Sequence, residues 1–111
     1  MFHLFGPSAK AVDANQFYEL MSKGYIVIDV RTQEEFGYGH IKSAKLIDIN
    51  KLDFRVKISE LDKKGKYLVY CRSGSRSNKA VLQMNKNGIE EALNLKGGIG
   101  AWHNAGKPLV R

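Results

Sequence analysis

The sequence predicts an α/β fold with a mostly parallel central sheet and helices on both faces. Three observations carry that expectation. Short, continuous apolar runs at residues 25–29, 45–49, 67–70 and 92–95 read as buried strands. Segments with helical spacing or helix caps separate them, and these connections are too long for hairpins, which favours parallel crossovers. Finally, 111 residues with 43% hydrophobic content are enough for one compact core, so residues 1–111 are expected to form a single domain.

The elements follow in order. Asp13 with Gln16 makes a capping box ahead of Phe17, Leu20 and Met21, a core-facing helix that Gly24 ends. Tyr25-Ile26-Val27-Ile28-Asp29 is short and β-branched, as a buried strand should be. Thr32 caps a short helix through Glu34, Glu35 and Phe36, with Gly37 and Gly39 expected to stop it. Lys45-Leu46-Ile47-Asp48-Ile49 reads as a third strand, and Leu52, Val56, Ile58 and Leu61 as the apolar face of a helix. Lys64-Gly65-Lys66 turns the chain into the strand Tyr67-Leu68-Val69-Tyr70. Ala80, Val81 and Met84 then keep helical spacing up to Asn87-Gly88. Ala92-Leu93-Asn94-Leu95 is a last short strand, and Gly97-Gly98 turns into a segment holding Ile99, Ala101 and Trp102.

The chemistry concentrates after the strand at 67–70. There the only cysteine, Cys71, opens the loop Arg72-Ser73-Gly74-Ser75-Arg76-Ser77, and a helix follows. A buried structural cysteine has no use for such a loop. Gly74 lets the chain curl so that successive N–H groups converge, the helix N-terminus adds positive potential, and Arg72 and Arg76 add full charges. In comparable settings a thiol pKa of about 8.5 falls to about 3.5–7.5, which makes the nucleophilic thiolate available at neutral pH. In an open parallel sheet, ligands bind beyond the carboxyl ends of the strands, where both Asp29 and Cys71 are expected.

Charge and composition narrow the rest. The formal net charge is +7, which attracts anionic substrates. The lysines are scattered, with no basic block and no nucleic-acid-binding signature, so no nucleic-acid partner is expected. No apolar run approaches the ~18 residues of a membrane span, and no membrane partner is expected. The first residues, Met1 to Pro7, lack the pattern of a secretory signal, and one cysteine demands no oxidising compartment, so the expected location is cytoplasmic. Phe2, Leu4 and Phe5 either cover a sheet edge or dock a partner. His3 and His103 have no partners at metal-ligand spacing, and no metal site is expected.

Several motifs together resemble the rhodanese-like (sulfurtransferase) family. Asp29-Val30-Arg31-Thr32 with Glu34-Glu35-Phe36 is similar to its first signature, and Gly39-His40-Ile41 with Ala44 follows. The Cys71 loop resembles its catalytic motif, and Gly97-Gly98-Ile99 with Ala101-Trp102 its closing signature. One departure is Lys42-Ser43, where the family usually has Pro-Gly. The resemblance implies a rhodanese-like fold and a Cys71 persulfide that passes a sulfur from thiosulfate or a similar small anionic donor to cyanide or a thiol. An acceptor protein is a further candidate partner, and no cofactor is implied. Arg72, Ser73, Gly74, Ser75, Arg76 and Ser77 would bind the substrate.

Two other readings stand beside it: a persulfide carrier or protein-interaction module, and an arsenate reductase or phosphatase of the same fold. Related phosphatases and arsenate reductases place the loop arginine one position further from the cysteine, whereas Arg76 follows Cys71 by five, as in sulfurtransferases. Sulfite also leaves as a stable anion, while ester hydrolysis calls for a general acid that this loop does not offer. Around the loop, Asp29 either braces it or caps its own turn. Arg31 either assists the anion or pairs with Glu34 or Glu35. His40 is expected to be structural, and Trp102 either walls the crevice or fills the core.

Overall fold

The computed structural model describes residues 8–111 and has ten elements. They are β1 (Ala11–Val12), α1 (Ala14–Met21), β2 (Ile26–Asp29), α2 (Gln33–Tyr38), β3 (Lys45–Leu46), α3 (Phe54–Ser59), β4 (Tyr67–Tyr70), α4 (Ser75–Lys86), β5 (Ala92–Leu95) and α5 (Gly98–Asn104). The strands form one parallel sheet in the order β1-β5-β4-β2-β3. Phe2, Leu4 and Phe5 lie outside the described residues.

Strand alternation sends side chains to two cores, one on each face. On one, Tyr67 and Val69 of β4 and Ile28 of β2 meet Phe54 and Ile58 of α3 and Ala80, Val81 and Met84 of α4. On the other, Leu68 and Tyr70 of β4 meet Ala14 and Phe17 of α1 and Trp102 of α5. Cys71 continues the alternation onto the α3/α4 face. β4 is buried at all four positions, as expected of a central parallel strand. Phe17 and Trp102 meet edge to face, with centroids 5.7 Å apart, and the indole N–H donates to the Pro108 carbonyl at 2.8 Å. Trp102 therefore fills the core and does not wall a crevice.

Both predicted capping boxes form. The Asp13 carboxylate accepts from the Gln16 N–H at 2.8 Å while Gln16 reaches back to the Asp13 N–H, and Thr32 and Glu35 do the same for α2. Three expectations need correction, and one strand was not foreseen. Gly37 lies inside α2, and Gly39 alone closes it. β3 is only two residues long, although Ile47 and Ile49 continue alongside β2 through N–H bonds to the carbonyls of Asp29 and Val30. Leu52 and Val56 are exposed. The helix begins only at Phe54, so the i, i+4 pair facing the core is Phe54 and Ile58. β1 escaped the sequence reading because two residues carry no period; the N–H groups of Asn94 and Lys96, donating to Lys10 and Val12, hold it at the sheet edge.

Candidate active site

β4 delivers Cys71 to the carboxyl edge of the sheet, and the chain turns at once into α4. Gly74 makes that turn possible: its φ of +103° lies in the left-handed region, and it serves as N-cap of α4. Its N–H points back at the Cys71 sulfur, 3.1 Å away. One turn on, the buried Ser77 hydroxyl reaches the same sulfur at 3.2 Å. Burial pushes the thiol pKa up. The Ser77 hydroxyl and the backbone N–H groups of Ser77, Gly74 and Ser73 outweigh it, so the pKa settles below the ordinary thiol value. The residue itself is only 1% exposed, so the sulfur lies on the floor of the loop.

The carbonyl side of the loop is held by α5. The N–H of Ile99 donates to the Cys71 carbonyl at 2.9 Å and that of Gly100 to the Arg72 carbonyl at 3.3 Å. This contact explains the second glycine of Gly97-Gly98. A Cβ on Gly98 would lie 2.3 Å from the Arg72 oxygen and 2.7 Å from the Cys71 oxygen. With the carbonyls turned toward α5, the loop N–H groups are left facing the sulfur.

Asn94 is the participant that the sequence reading missed. It projects from β5, buried, and its Nδ2 donates to the Gly74 carbonyl at 3.1 Å. Its Oδ1 lies 2.6 Å from the Ser77 oxygen. The available signal was a polar residue in the apolar run Ala92-Leu93-Asn94-Leu95, in phase with Ala92 on the α3/α4 face.

The arginines divide. Arg72 is exposed, as are Ser73 and Ser75, so all three stand on the rim. Arg76 is not a free cation: it forms a bidentate pair with Glu35 of α2, at 2.7 and 2.9 Å. That pair, helped by the Thr32 N–H and hydroxyl and opposed by burial, holds the Glu35 carboxyl at about 2. Of the three serine hydroxyls, Ser77 is the one that reaches the sulfur.

Asp29 and Arg31 are brought to the same end of the sheet but bind each other. Asp29, fully buried, accepts from the Arg31 N–H at 2.9 Å and from its guanidinium at 2.8–3.1 Å. Arg31 also donates to the Gly39 carbonyl at 2.7 Å and lies over the Tyr70 ring, 5.5 Å from its centroid. Asp29 thus caps its own turn instead of bracing the cysteine loop, and Arg31 pairs with neither Glu34 nor Glu35. A carboxylate this deep needs its counter-ion beside it, and the nearest cation is two residues away. His40 is structural as expected: its ring stacks on Phe36 at 3.7 Å, with Nδ1 3.0 Å from the Phe36 carbonyl.

A model of the rhodanese-like domain matches residues 13–105. The chain belongs to the rhodanese-like family. Among its relatives, a sulfurtransferase of Allochromatium vinosum is 36% identical over 85 residues, covering 77% of this chain and 78% of that protein. Thiosulfate sulfurtransferase 18 of Arabidopsis thaliana is 35% identical, over 89% of this chain and 82% of that one. The crystal structure of a rhodanese-related protein from Thermoplasma volcanium superposes with a TM-score of 0.79 at 35% identity, over 91% of this chain and 97% of that one. The closing Gly-Gly-Ile of this rhodanese-like chain is thus the strut that sets its cysteine loop. Among the described residues no helix is long and apolar enough to cross a membrane, and no cluster of side chains is suited to a metal ion.

Proposed function

We propose that this protein is a sulfurtransferase that carries a sulfane sulfur on Cys71. One observation carries the reading: the Gly74 N–H and the Ser77 hydroxyl converge on the Cys71 sulfur at 3.1 and 3.2 Å and favour its thiolate. The relatives named sulfurtransferase and thiosulfate sulfurtransferase support the same chemistry.

The first step is attack of the Cys71 thiolate on the outer sulfur of thiosulfate. A new S–S bond forms, the S–S bond of the donor breaks, and sulfite leaves with the electron pair. A Cys71 persulfide anion remains, and the loop N–H groups stabilise it. Donors preorganised around developing charge contribute about 2.7–4 kcal/mol each. In the second step cyanide or a thiolate attacks the outer sulfur and returns the electron pair to Cys71. No proton has to be delivered to a leaving group, which matches a site whose neighbouring carboxylates, Asp29 and Glu35, are both committed to arginines. A sulfur at the floor of the loop favours a slender donor that presents a single terminal sulfur. Arg72 on the rim draws the dianion in, and Arg76 holds α2 against the loop.

Steady-state assays with thiosulfate and cyanide test the reading. Parallel double-reciprocal lines are expected for wild type and no turnover for Cys71→Ser. Hydrolysis of an aryl phosphate with no thiocyanate formed would overturn it.

A further inference from the structure

The geometry points to Asn94 as a positioning residue for Cys71: it competes with the sulfur for the single proton of the Ser77 hydroxyl and receives that proton whenever the sulfur is uncharged. The inference rests on Cys71 as the sulfur carrier. Ser77 Oγ lies 3.2 Å from Cys71 Sγ and 2.6 Å from Asn94 Oδ1. A hydroxyl carries one proton, so it donates to only one of them at a time. Asn94 cannot reverse its amide without cost, because its Nδ2 is spent on the Gly74 carbonyl. Its oxygen therefore faces Ser77 and only accepts.

Two arrangements of that proton are available, and only the first leaves no buried acceptor without a donor. With a neutral thiol, the S–H donates to the Ser77 oxygen and the hydroxyl donates to Asn94. With a thiolate, the hydroxyl turns to the charged sulfur. In the persulfide the charge moves to the outer sulfur, Sγ no longer commands a donor, and the Ser77 proton returns to Asn94. The hydroxyl thus turns twice in each catalytic cycle, and the second acceptor keeps the buried hydroxyl satisfied in the loaded state. Through the Gly74 carbonyl the same Asn94 holds the peptide whose N–H faces the sulfur. The charged groups on the elements that meet at this end of the sheet are Arg72 on the cysteine loop, Arg76 of α4 paired with Glu35 of α2, and the Arg31–Asp29 pair at the end of β2. All are unaltered in the variants below.

The test is a double-mutant cycle on the ionisation of Cys71, read from the pH dependence of iodoacetamide alkylation. The four proteins are wild type, Ser77→Ala, Asn94→Leu and the double variant. Ser77→Ala is expected to weaken the acidity of Cys71 in both backgrounds, and by about threefold or more further where Asn94 is replaced, because the hydroxyl then serves the sulfur alone. Equal effects in the two backgrounds, within about threefold, would overturn the inference, since a merely structural Asn94 leaves the Ser77 contribution unchanged. A second readout keeps Asn94 intact. The resonances of its side-chain amide are expected to shift as Cys71 ionises in wild type and to stay still in Ser77→Ala; the same shift in both contradicts the inference. Neither readout uses a sulfur donor, so a negative result leaves persulfide formation standing, and a missing persulfide is detected separately by mass.

Discussion

Ser43 sits at φ +69°, a left-handed conformation that β-carbon-bearing residues adopt at a cost. The Ala44 N–H closes this turn on the Ile41 carbonyl at 3.0 Å. Where the family resemblance expects Pro-Gly this chain has Lys42-Ser43, and Ser43 carries a strain that a glycine there would not. Ser43→Gly is expected to raise stability by about 0.5–1 kcal/mol in urea titrations, with unchanged turnover. Glu35 works in the opposite sense. Removing its charge with Glu35→Gln costs about 1 kcal/mol at neutral pH, because the charge of a partly buried bidentate pair goes with it, whereas a Gln there still closes the capping box as Gln16 does in α1. The carboxyl titrates near 4.5 when unfolded and at about 2 when folded. Its contribution is fully present above about pH 4.5 and fades as the pH falls toward 2. Denaturation midpoints of the two proteins should therefore converge across that window. Residue types at this scale were legible in the sequence for the lone cysteine and its Gly74, whereas Asn94 was passed over as one more residue of an apolar strand. Partners were not. Arg76 read as an anion ligand or rim charge and Arg31 as an anion ligand or the partner of Glu34 or Glu35, yet the fold pairs Arg76 with Glu35 of a distant helix and Arg31 with Asp29, two residues away.

The element that positions the site is α5, although neither of the hydrogen bonds to the sulfur comes from it. Its first N–H groups seize the carbonyls of Cys71 and Arg72, and Gly98 lets the backbones approach. Gly98→Ala is expected to cost at least about 2 kcal/mol in denaturant titrations and to abolish turnover, because the clash is with main chain and cannot be relieved by a rotamer. Normal stability with full activity would show that α5 does not set the loop. Helices with caps were legible from sequence, since Asp13/Gln16 and Thr32/Glu35 are local signals. α3 was misphased because Leu52 belongs to the turn before it, and β1 was missed because only its neighbour β5 defines it. Pairings between distant segments decide both.

At the scale of the whole molecule, the α/β class and the parallel sheet followed from the alternation of apolar runs with helical spacing, and the family match agrees with them. The net charge of +7 gives the molecule a positive field, to which the exposed Arg72 adds at the mouth of the site. With thiosulfate as donor, kcat/KM is expected to fall as salt rises from about 10 mM to 1 M, while kcat changes little, because screening weakens capture of the dianion more than chemistry on the buried sulfur. The central claim is that Cys71, ionised by its own loop, holds a second sulfur. Intact-mass spectrometry after exposure to thiosulfate tests it most directly. Wild type should gain the mass of one sulfur atom and lose it on adding cyanide, while Cys71→Ser gains nothing. Wild type without the added sulfur, or a variant that also acquires it, would contradict the account.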